Sequence, residues 1–149
     1  MMGCELTGDW DKFLNLKNIE SAMREHMGDA LERGAELLRG NVVKYIRDQK
    51  GNWPSLAEST VKQKAAKNQS DLILIAEGDY ATSFATDRKS WDEVQMGSNH
   101  PQSRALEFGY EPGGLPARAH FWPAVEEGID EYLNELQQGL ATMFQSLMR

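Results

Sequence analysis

The stretch "IESAMREHMGDALERGAELLRGNVVKYIRDQ", residues 19–49, decides how the chain is built. Ile19, Met23, Met27, Ala30, Leu31, Leu37, Leu38, Val42, Tyr45 and Ile46 recur at helical spacing and mark one face of a helix reaching about Gln49. Glu20, Arg24, Glu25, Asp29, Glu32, Glu36, Lys44 and Asp48 fill the other face. A helix of some 30 residues is about 45 Å long. A domain this small does not cover such a rod on all sides, so part of it is expected to meet water or a neighbour. Gly28, Gly34 and Gly40 each cost about 1 kcal/mol there relative to alanine, with close packing or bending as the compensating use.

Upstream, residues 5–18 read as a short extended lead-in and a helical turn anchored by Trp10, Phe13 and Leu14. Downstream, "KGNWPS" ends the long helix. Ser55 and Glu58 then have capping-box spacing for a short helix that ends near Lys67. The apolar run "LILIA", residues 72–76, fits either a strand or a helix and is expected to be buried. "YATSFATDRKSWDEVQMGS" reads as a hairpin, with Ala81 and Phe84 near one end, "DRKS" as the turn and Val94 and Met96 returning.

The tail opens with Pro123, suited to a first helical turn, followed by Glu126 and Glu127 where the helix dipole favours acids. Val125, Ile129, Tyr132, Leu133, Leu136, Leu140, Met143, Phe144 and Leu147 give it an apolar stripe. The expected fold is α+β: a small antiparallel sheet packed against a long N-terminal helix and a C-terminal helix, in one domain spanning 1–149.

Composition narrows the function. The 149 residues carry a formal charge of −7, which disfavours general affinity for nucleic-acid phosphate. One cysteine, Cys4, offers neither an internal disulfide nor zinc spacing and fits a reducing cytoplasm. No apolar run approaches the roughly 20 residues that span a bilayer, and no signal peptide is expected. "MGCELT" resembles an acylation signal, but Met1 displaces its glycine from the required position.

No catalytic pattern emerges. His26, His100 and His120 lack ligand spacing, Ser83 and Ser103 lack a nucleophile elbow, and the glycines at 109, 113 and 114 lack the lysine of a phosphate loop. Adjacent acids such as Asp92–Glu93 and Glu126–Glu127 project in different directions and read as solvated charge. Catalytic, metal and cofactor residues are therefore expected to be none.

The order of the remaining pieces is more informative. "WPSLAESTVKQK" precedes "LILIAEGDYATSF", then come the hairpin, "ALEFGYEPGG" and "PARAHFWPAVEEG". This order resembles the neck or tail-component family of long-tailed phages, the gene-product-ten-like proteins of lambdoid phages. It is similar, more distantly, to the virion-morphogenesis proteins of Mu-like phages. Trp53, Pro54, Leu56, Thr60 and Lys64 match the first block, and Gly78 and Ser83 the second. Glu107, Phe108 and Gly109 match the third; Pro116, Ala117, Arg118, Pro123 and Ala124 match the fourth. Ala119 stands where the family usually has proline, and His120 where it usually has phenylalanine.

The resemblance implies a structural virion protein of the head–tail junction, made in the bacterial host cytoplasm. It would form a homo-oligomeric ring between portal-side connector or head-completion proteins and tail-terminator or tail-tube proteins, with phage DNA passing through and no membrane involved. Glu107, Gly109, Pro116, Arg118, Phe121 and Trp122 are the subunit-interface candidates. An exposed Arg118 would pair with a carboxylate, Glu107 in its own chain or across the ring being a candidate, against an ordinary surface pair. Phe121 and Trp122 either pack in the core or anchor an interface. Glu127, Asp130, Glu131 and Glu135 are channel-lining candidates, against a solvated acidic face: Pro123–Arg149 holds five acids and one base. A tail terminator or tail-completion protein is the nearest alternative. A small bacterial regulator or hydrolase is the alternative from another class.

Overall fold

The computed structural model describes residues 15–76 and 79–149. Cys4, Trp10, Phe13, Leu14 and Gly78 lie outside them. The long N-terminal helix is present in three consecutive pieces: α1 (Leu16–Ala22), a π-helical turn (Met23–Met27) and α2 (Gly28–Arg47). The Asn15 side chain caps its start by accepting from the Lys17 amide. Gln49, at φ 52°, ends it just past Asp48.

Next come α3 (Glu58–Ala66), α4 (Asp79–Thr82), β1 (Phe84–Arg88), β2 (Val94–Ser98) and α5 (Ser103–Phe108). A 3-10 turn (Glu111–Gly113) and the terminal helix α6 (Phe121–Leu147) complete the order. The sheet is two-stranded and antiparallel, in a register that pairs Phe84 with Ser98 and Arg88 with Val94. The architecture is α+β, with the hairpin packed on α2 and with α6 lying along α2. No helix among the described residues is long and apolar enough to cross a membrane.

The main core gathers Val42, Tyr45 and Ile46 of α2, Tyr80 and Ala81 of α4, Phe84 of β1 and Ala124 of α6. A second cluster, Ala22, Met143 and Leu147, closes the far end where α1 meets the end of α6. Between the two, small residues set the helix spacing. A β-carbon on Gly139 would fall 2.5 Å from that of Ala30, and one on Gly34 would fall 2.6 Å from the Tyr132 ring. The face of α6 turned to α2 is thus built on Ala124, Gly128 and Gly139, with Met143 and Leu147 beyond. Part of the expected apolar stripe points elsewhere: Ile129, Leu133 and Leu140 are exposed.

Four local expectations change. The capping box does not form: α3 begins after Ala57, with no side-chain cap, and the Ser55 carbonyl faces the Arg118 guanidinium. "LILIA" is neither strand nor helix, and Leu72 is exposed. Leu74 sits at φ 61°, so the chain turns there and makes no ladder. Several backbone groups of the segment are satisfied by side chains instead. Gln49 both donates to the Ile73 carbonyl (2.8 Å) and accepts from the Ile73 amide (2.9 Å), and Lys64 Nζ donates to the carbonyls of Leu72 and Ile75, each at 2.7 Å.

Ala81 belongs to α4, before the hairpin starts. The hairpin turn lies over residues 89–93, because Asp87 and Arg88 remain paired in β1. From that position Arg88 Nη1 reaches both Asp29 and Glu32 of α2, at 3.0 Å each. Gly28 leaves room for it: a β-carbon there would overlap the guanidinium.

Candidate functional site

The matched blocks converge at the start of α6. Gly109 follows α5 at φ 81°, a left-handed conformation, and a β-carbon on it would come within 2.9 Å of the Ala117 nitrogen. A glycine at this position lets residues 115–118 fold back on α5. Tyr110 and Leu115 bridge, and the Arg118 amide donates to the Leu106 carbonyl at 2.8 Å. That return brings the first amides of α6 over Glu107. One carboxylate oxygen accepts from the amides of His120 (2.9 Å) and Phe121 (3.0 Å), the other from Trp122 (3.4 Å). A buried carboxylate thus caps the helix and meets the positive end of its dipole. Arg118 was a candidate partner for Glu107 within the chain; the carboxylate is instead held by these amides, with His120 Nδ1 3.1 Å from the same oxygen that accepts from the His120 amide.

Arg118 is not the exposed arm residue expected. It is 5% exposed. Its Nη2 makes only long contacts to the carbonyls of Pro54 (3.4 Å) and Ser55 (3.5 Å), and its buried Nε has no hydrogen-bond partner. Burial pushes its pKa down. Trp53 completes the tie between the first and fourth blocks by donating Nε1–H to the Ala119 carbonyl at 2.7 Å.

His120, where the resembled family usually has phenylalanine, is 1% exposed. Its Nδ1 lies 2.6 Å from the Arg118 carbonyl, which can only accept, so Nδ1 carries the proton and Nε2 accepts from the Tyr80 hydroxyl at 2.6 Å. Burial lowers the His120 pKa, against smaller opposing effects of the Arg118 carbonyl and the Glu107 charge. Burial also raises that of Tyr80. Burial disfavours the charged form of both rings, and their hydrogen bonds to each other and to the Arg118 carbonyl suit a positioning role.

The other serine and histidine candidates serve structure too. Ser83 donates to the Tyr80 carbonyl and meets Ser98 across the strand ends, each at 2.6 Å. His100 Nδ1 accepts from the Gln102 amide. No cluster of three or more His, Cys, Asp or Glu suited to a metal occurs among the described residues.

Of the remaining interface candidates, Phe121 packs against the core and Pro116 is exposed. Trp122 is 57% exposed, near Phe108 at 67%. The channel-lining candidates divide: Glu127 pairs with Lys50 at 2.6 Å and Glu135 with Arg33 at 3.0 Å, whereas Asp130 and Glu131 are exposed acids.

One feature escaped sequence reasoning altogether. A cleft of about 750 Å³ opens between the start of α3 and the 113–118 return, lined by Ser59, Thr60, Lys64, Tyr80, Gly114 and Arg118 among others. Lys64 is 9% exposed. The resemblance picks out Lys64 from the lysines at 62 and 67, but nothing within "KQKAAK" marks it as the buried one. No family model, curated protein or solved structure matches this chain.

Proposed function

We propose that this chain is a structural protein of the head–tail junction of a long-tailed phage. It assembles with copies of itself into a ring that joins or completes the tail and lets DNA pass. Its further contacts are portal-side connector or head-completion proteins on one side and tail-terminator or tail-tube proteins on the other.

The observation that carries this reading is the ordered set of blocks between residues 53 and 128, together with their interdependence. Trp53 holds Ala119, Arg118 faces Pro54 and Ser55, and Glu107 holds residues 120–122. The first, third and fourth blocks thus depend on one another, and a joined pattern is harder to reach by chance than loose ones. The exposed row Trp122, Ile129, Leu133 and Leu140 on α6 is a surface that self-association would bury. On this reading Asp130 and Glu131 are the acids left to face a channel, where like charge keeps DNA from sticking.

Electron microscopy of lysates from the parent phage or prophage, with this gene deleted, tests the proposal. Full heads beside separate or abnormal-length tails are expected. Normal tail length would identify joining, and abnormal length termination. Complementation with Asp130→Lys plus Glu131→Lys should restore joined particles that eject DNA poorly. Normal infectious particles from the deletion would overturn the junction role, and normal ejection from the charge reversal would overturn the lining role.

A further inference from the structure

We propose that the cleft between α3 and the 113–118 return binds an oxyanion, a phosphate or a carboxylate, through Arg118, Lys64 and the first turn of α3. The inference stands on the cleft itself and does not depend on the virion reading.

Its charge is one-sided. Arg118 and Lys64 line it, and no Asp or Glu is among its described lining residues. Buried cations are ordinarily paired, because desolvating a charge without a partner is costly. Arg118, 5% exposed, has no carboxylate partner among the described residues, and its Nε donor is unused. Lys64 spends two of its three ammonium protons on the Leu72 and Ile75 carbonyls. Asp71 acts on Lys64 but does not line the cleft. Burial lowers the pKa of both cations, and the Arg118 charge lowers that of Lys64 further, against an opposing effect of Asp71. An anion between them would reverse both effects.

The helix end supplies the remaining donors. Ser55, Leu56, Ala57, Ser59 and Thr60 line the cleft, so the N-terminus of α3 opens onto it. This nine-residue helix has no side-chain cap, and its first amides have no intrahelical acceptor. Free amides and the positive dipole end suit an oxyanion, with the Ser59 and Thr60 hydroxyls beside them. An uncapped helix start and an unused buried guanidinium donor therefore point to the same ligand chemistry.

The test is an NMR titration of the full-length protein that follows the Arg118 Nε–Hε resonance, assigned by its loss in Arg118→Lys. Sodium phosphate and sodium acetate are added separately at ionic strength matched with sodium chloride. A saturable shift with phosphate or acetate, absent with chloride, is expected. At ten times Kd, Tm should rise by about 3–6 °C. Thr60→Val, which keeps both cations, should weaken binding roughly three- to tenfold. The arms separate the sources. A response to phosphate alone identifies dissolved phosphate as the ligand. A response to acetate identifies a carboxylate, and movement of the resonance with protein concentration alone identifies one presented by a second copy. A resonance unmoved by phosphate, acetate and protein concentration would overturn the proposal, whether or not the variants fold.

Discussion

The two ends of the molecule are held by different means. At the start of α6, single residues with specific partners do the holding: Glu107 on three amides, Trp53 on the Ala119 carbonyl, and His120 between Arg118 and Tyr80. Along the paired helices towards the second cluster, the absence of side chains does it: Gly34, Gly128 and Gly139 let the backbones approach, and apolar contacts close the end. The first kind of region fails when a partner is removed. The second fails when an atom is added.

Glu107→Ala should cause the largest loss. It strands three amides at a buried helix start, and about 3–5 kcal/mol of unfolding free energy should vanish in a urea titration. A loss below about 1 kcal/mol would mean that water caps α6 equally well and would erase the contrast.

Gly139→Ala probes the other end. The new carbon meets Ala30 at 2.5 Å, and overpacking of this kind costs about 1–3 kcal/mol. Gly40→Ala is its control, since a β-carbon there meets nothing within 4 Å. That substitution should stabilise by up to about 1 kcal/mol through helix propensity. Opposite signs in the same urea experiment would establish steric closeness as the cause; equal signs would break the distinction.

The His120 site predicts a smaller effect, one that depends on pH. Its folded-state pKa lies below the ordinary value of 6.5, so the unfolded chain binds the proton more readily. The histidine contribution is therefore fully present above pH 6.5 and is lost as pH falls from there through the lowered value. The slope should approach at most about 1.4 kcal/mol per pH unit. His120→Phe should remove this slope over that interval, measured as the difference in unfolding stability between the two proteins. An unchanged slope would place the titration elsewhere.

These contrasts also explain what the sequence disclosed. The α1–α2 stripe and the hairpin were legible because each writes its period into neighbouring residues. "LILIA" was not: its conformation is imposed by Gln49 and Lys64, distant side chains that replace a ladder. Ser55 and Glu58 have the spacing of a cap, yet Pro54 and Ser55 turn their carbonyls to Arg118. Glu107 and Arg118 were both singled out as interface candidates, and within the chain they do not pair with each other. Opposite charges suggest a pair, whereas amides at a helix start compete for the carboxylate without leaving any trace in residue identity. The cleft was invisible for a similar reason, since Lys64 and Arg118 meet only after residues 54 positions apart are folded together.

The lie of α6 along α2 has a consequence in time. The chief partner of α2 is α6, which leaves the ribosome well after it, and an amphipathic helix gains most of its stability from such packing. While a ribosome works along the chain, the hairpin is complete before α6 and covers part of α2, but the side of α2 that α6 packs against stays open until then. Between the emergence of the two helices the nascent chain therefore needs shelter, and closure of α2 onto its partner waits until α6 is made.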